Sequence, residues 1–106
     1  MVEVALDRPP RSVVVWADRV LVVEALDPEP GTPTDNAVVF AAHGAASVRL
    51  RPPRDLVAEP SWVIGFHLAH LDAEGQPILV VATRSGDFWG RPDLATGGLA
   101  DVRTWR

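Results

Sequence analysis

The hydrophobic positions of this chain fall in short, valine-rich runs broken by proline and glycine. β-Branched side chains lose rotamer freedom in a helix and fit a pleated surface, so such runs predict strands. We place strands at 2–6, 12–16, 19–26, 37–42, 46–51, 62–71, 77–84 and 99–105. Helix is scarce. One turn is expected at 54–59, opened by Pro53 and stopped by Pro60. A weaker one is expected at 93–100, where Gly97 and Gly98 oppose it. The pattern predicts an all-β fold for 1–106 as one domain: a small barrel or sandwich of six to eight short, mostly antiparallel strands.

The connections carry their own signals. Only Ala17-Asp18 separates 12–16 from 19–26, which gives either a tight hairpin or one long bent strand, because neither residue is the glycine that two-residue turns favour. Asp72-Ala73-Glu74-Gly75 predicts a type I turn followed by a residue with positive φ. His43-Gly44 and Ser85-Gly86-Asp87 are further turn signals, and DPEPGTPTD at 27–35 is the longest loop.

The motif Arg-Pro-Pro-Arg begins at Arg8 and again at Arg51, 43 residues on, and the segments after each copy are alike. At that spacing VLVVEAL from Val20 faces VIGFHLA from Val63, and AVVFAAHG resembles LVVATRSG after a small gap. A duplication would make the domain two β-meanders packed about a pseudo-twofold axis, and a shared Arg, Pro and Val bias is the alternative origin. The period of two assigns faces. Trp62, Ile64, Phe66 and Leu68 share the expected core side of the 62–71 strand, and Val63, Gly65, His67 and Ala69 share the other. Leu21, Val23 and Ala25 match the core side of the equivalent strand.

Composition narrows the chemistry. With 47% hydrophobic and 23% charged residues the 106-residue chain is globular, and a domain of that size buries roughly 65% of its unfolded surface without needing a disulfide or structural metal. The net charge of −4 and the scattered cations argue against nucleic acid as a partner. A basic patch at Arg49, Arg51 and Arg54 is weighed against a solvated strand end, and the strand end is preferred. All ten cations are Arg, and Lys, Tyr and Cys are absent, as GC-rich codon usage in a bacterium would produce. Without Lys or Cys there is no Schiff base, P-loop lysine, thiolate nucleophile or disulfide. No apolar run approaches the roughly 20 residues that span a bilayer, and the first residues do not read as a signal peptide, so no membrane is expected and the cytoplasm is the expected compartment.

Few residues carry a functional signal. Glu24 and His67 occupy matching repeat positions mid-strand, where a carboxylate beside an imidazole forms an acid–base pair; the competing and preferred reading turns both to solvent. His67 and His70 project to opposite strand faces and His43 has no spacing argument, so no metal or cofactor is expected. None of the serines sits in a Gly-x-Ser-x-Gly elbow. Phe88-Trp89-Gly90-Arg91-Pro92 reads as a loop in which Trp89 either plugs the barrel end or stands exposed beside Arg91 as a binding residue, and the plug is favoured. Two functions follow. The first is a non-catalytic β-domain that binds a protein partner or small molecule, through the 86–93 loop and the 27–35 loop, and that can form a homo-oligomer. The second is a cofactor-independent barrel enzyme of cyclase or isomerase type, with Glu24, His67 and Arg84 in an apolar lumen. A hollow pocket holding buried Glu24 and His67 would favour the enzyme, and a filled core with a flat apolar surface patch would favour the binding domain.

Overall fold

The computed structural model describes residues 9–25, 35–41, 47–53 and 63–104. Eight strands follow in chain order: β1 (Pro10–Trp16), β2 (Arg19–Glu24), β3 (Ala37–Ala41), β4 (Ser47–Leu50), β5 (Val63–Leu71), β6 (Pro77–Thr83), β7 (Gly86–Asp93) and β8 (Gly98–Thr104). They form two four-stranded antiparallel sheets in the orders β1-β2-β3-β4 and β5-β6-β7-β8. The all-β expectation is met as two facing meanders rather than a closed barrel. Among the described residues no helix is long and apolar enough to cross a membrane. The strand expected at 2–6, the helical turn at 54–59, His43-Gly44, Trp62 and nearly all of the 27–35 loop lie outside the described residues.

Strand alternation fills the space between the sheets. Val14, Leu21, Val23, Ala37, Val39 and Leu50 of the first sheet meet Val63, Phe66, Ala69, Leu79 and Val81 of the second, with Trp16, Val48, Leu94 and Leu99 packed around them. Phe66, Leu21, Leu50 and Leu79 are fully buried, so the interior is packed rather than hollow. Ala17-Asp18 does make a tight hairpin, with Trp16 opposite Arg19, and Ala17 takes the turn's positive φ of 49° without being glycine. The 72–76 turn matches its sequence. Gly75 has φ of 79°, and Asp72 Oδ1 accepts the amides of Glu74 and Gln76, each at 2.9 Å.

The face expected for β5 is only partly right. Two β-bulges, between Val63 and Gly65 and between Phe66 and Leu68, leave Ile64 and His67 without partners on β6. Each extra residue advances the pleat by one, so the buried core positions recur every third residue, at Val63, Phe66 and Ala69. Phe66 is in the core as expected. Ile64 is 37% exposed, and Leu68 pairs with Val80 on the outer face.

The loop expected at Phe88-Trp89-Gly90-Arg91-Pro92 is instead strand β7, between β6 and β8. Glycine is required there by a close approach: a Cβ on Gly90 would lie 3.0 Å from the Ala100 carbonyl oxygen, where β8 bulges and Asp101 takes φ of 55°. Pro92 lies beyond the last pair with β6, Gly90 opposite Leu79, so its missing amide interrupts no β6 ladder pair, and its strand partner is Leu99 of β8. The turn expected at 93–100 is limited to 94–97, closed by the Gly97 amide donating to the Asp93 carbonyl at 2.9 Å.

The sheets are also joined by hydrogen bonds. Asn36, the sole asparagine, donates from Nδ2 to the carbonyls of Glu24 (2.8 Å) and Phe66 (2.7 Å), and its Oδ1 accepts the Phe66 amide at 2.8 Å. Three residues along β5, Ser12 Oγ donates to the Ala69 carbonyl at 2.9 Å and accepts the Ala69 amide at 3.2 Å.

Two expected outcomes test this packing. Phe66→Ala should lower stability by about 3–5 kcal/mol and Ile64→Ala by less than about 1 kcal/mol in denaturant melts with matched slopes. A period-two β5 would instead make both costly. Asn36→Ala strands three buried backbone groups, at about 1–3 kcal/mol each. It should therefore cost about 3 kcal/mol or more, and a loss below about 1 kcal/mol would show that the bridge is not needed.

Candidate functional site

Glu24 ends β2 with no exposed surface. Leu21 and Val23 point into the core, so alternation turns Glu24 to the other face of the sheet with Val22. Arg49, on β4, reaches it across β3. Its Nη1 lies 2.7 Å from Oε1 and its Nη2 3.3 Å from Oε2, while Nη1 also donates to the Asp35 carbonyl at 2.8 Å. This corrects two expectations. Glu24 does not face solvent, and Arg49 is not part of a solvated strand end. The fork of a guanidinium matches a carboxylate in this two-point manner, and it compensates a charge that would be costly to bury alone. A carboxylate held through both oxygens is poorly placed to take a proton from a substrate.

The other members of the imagined lumen lie elsewhere. His67 is the unpaired residue of the second β5 bulge, on the opposite sheet, and the Glu24 carboxylate is held by Arg49 rather than by it. Arg84 is exposed in the two-residue turn between β6 and β7. Among the described residues no group of three or more His, Asp or Glu side chains could hold a metal ion.

Trp89 and Arg91 are brought together. Both are half-buried, and alternation along β7 puts them on one outer face, where Trp89 lies beside Val80 of β6 and Arg103 of β8. The guanidinium carbons of Arg91 and Arg103 lie 5.8 and 5.7 Å from the indole centroid, within range for cation–π attraction. Trp89 is thus neither a plug in the core nor a loop residue standing in solvent. Arg91 also pairs with Asp72 Oδ2 at 2.9 Å. The Asp72 carboxyl sits below its ordinary pKa, first because it accepts the Gln76 amide and, against a smaller opposing effect of desolvation, also because of Arg91 and the Glu74 amide.

Sequence reasoning missed Asn36, Ser12 and Asp72 as organising residues. Asp72 had a signal, since aspartate opening a type I turn commonly caps it through its own side chain. Ser12 and Asn36 had none, because their partners lie 57 and 30 residues away. No family model, curated protein or solved structure matches the chain.

Arg49→Leu should destabilise the fold by about 3 kcal/mol, the lower end of the range for breaking a buried pair, because the arginine is 32% exposed. Glu24→Leu combined with Arg49→Leu should recover most of that loss in a double-mutant cycle. If the single and double variants melted alike, the cost would lie in lost packing rather than in an uncompensated charge.

Proposed function

We propose that this is a non-catalytic binding domain that recognises a protein partner through the outer face of its first sheet. The observation that carries the reading is the contrast between that face and the interior. The space between the sheets is filled, while Val13 and Val15 of edge strand β1 are 57% and 62% exposed. Val13 pairs with Val22 and Val15 with Val20, and across β2 these pair with Val38 and Phe40; Val22 and Val38 are themselves buried, so the accessible apolar surface lies along the β1 edge. Exposed apolar side chains on an edge strand are a usual place for a partner to cover, by packing on them or by pairing along the edge. The enzyme reading has less support, because the lumen it needs is occupied and Glu24, its acid–base group, is bound to Arg49.

A photo-crosslinking residue placed at Val13 or Val15, in the full chain expressed in its native cells, should give a discrete adduct of higher mass on irradiation. The same residue at Arg84, also exposed but in the β6–β7 turn, should give none. Absence of an adduct at both valine positions, or equal labelling at position 84, would overturn the reading.

A further inference from the structure

A second site is formed at one end of the sandwich, independently of the β1 face. A cavity of about 230 Å³ opens between the β1–β2 hairpin and the ends of β6 and β7. Trp16, Pro77 and Leu94 supply apolar wall, and Arg19, Gln76 and Arg91 supply the polar groups. Among the described residues no acidic side chain lines it. We propose that this cavity binds a small aromatic carboxylate.

The charge and shape of the lining carry the inference. Asp72 is paired with Arg91, and among the described residues no carboxylate pairs with Arg19. The set of Arg19, Arg91 and Asp72 is left with one positive charge, which a monoanion neutralises. Asp18 and Asp93 adjoin lining residues in the chain, but neither faces the cavity, and Asp93 Oδ1 accepts the Ala95 amide at 3.0 Å. Arg91 is fixed before any ligand arrives, by Asp72, by Trp89 at 5.8 Å and by the Pro77 carbonyl at 3.5 Å, so little ordering is lost on binding. A guanidinium fork fits a carboxylate, and the indole of Trp16 with the ring of Pro77 suits a flat apolar body. The volume is below the roughly 300–1,000 Å³ of sites for drug-sized ligands, which limits the occupant to about one ring and its acid group.

Benzoate is the probe, with benzamide as its uncharged counterpart of the same shape, each titrated into the full-length protein and followed by nitrogen–proton correlation spectra. Benzoate should saturate at millimolar concentration or below, on the order expected for so small a ligand, and should shift the Trp16 indole and the Gln76 side-chain amide. Benzamide should bind roughly tenfold more weakly or worse, the difference made by hydrogen bonds to a charged group. Arg19→Gln should reduce benzoate affinity by a similar factor, reduce benzamide affinity by clearly less, and keep the melting temperature of the parent, since Arg19 is exposed and outside the core. Failure of benzoate to saturate by about 10 mM, equal binding of the two probes, unchanged affinity in Arg19→Gln, or shifts confined to residues away from the cavity would each overturn the proposal. None of these outcomes bears on the β1 face, whose test is the crosslinking pattern.

Discussion

The arrangement of this sandwich depends on how the backbone of β5 is satisfied along the edge that β6 does not use. A buried amide or carbonyl without a partner costs more than a typical hydrogen bond contributes. At Phe66 and Ala69 the partners are side chains of the other half of the chain, Asn36 and Ser12, each acting as both donor and acceptor toward one residue. Phe66 and Ala69 are also core residues. The same two positions therefore fix the sheets through hydrophobic contact and through directional bonds, which a slipped register could not satisfy together. The bulges on β5 are part of this arrangement, because they turn Val63, Phe66 and Ala69 toward the core at a spacing of three.

The absence of lysine gives the charged groups a particular character. A guanidinium can fork onto a carboxylate and stack on an aromatic face in ways that a compact ammonium cannot. Arg49 uses the first property on buried Glu24, and Arg91 uses the second toward Trp89 while pairing with Asp72 through Nη1. A composition that reads as codon bias thus becomes structural, since either position would work less well with lysine. The engagement of Glu24 also bears on function. A buried glutamate in isolation suggests catalysis, whereas one clamped by arginine beside the β3 entry suggests a fixed scaffold.

In the binding reading we propose, the two outward-facing features divide the work between the sheets. The valines of β1 offer a flat apolar surface suited to another protein. The end cavity offers a confined, positively charged slot suited to a small anion. Both are carried on strands or on tight turns, so little chain needs to be ordered for either to act.

What the sequence determined by itself was the local part of the structure. Valine-rich runs between Pro and Gly signals placed seven of the eight strands, because pleated-sheet preference and turn chemistry act over a few residues. Phe66 in the core and the Gly75 turn were legible for the same reason, whereas the two meanders were expected only on the condition that the Arg-Pro-Pro-Arg spacing marks a duplication. The strand that was missed, β7, carries Gly90 and Pro92, whose usual meaning as breakers is reversed by the close approach of β8 and by the end of the β6 ladder. The faces of Ile64 and Leu68 were misread because a bulge is a property of a strand pair, not of one strand. The candidate residues divide in the same way. That Trp89 and Arg91 share a face follows once they are in a strand, since alternation is local. That Glu24 meets Arg49, and that His67 and Arg84 lie apart from it, depends on which strands become neighbours. That choice is made by the packing of the whole core and by the reach of Asn36 and Ser12 across it, and no window of sequence contains both partners.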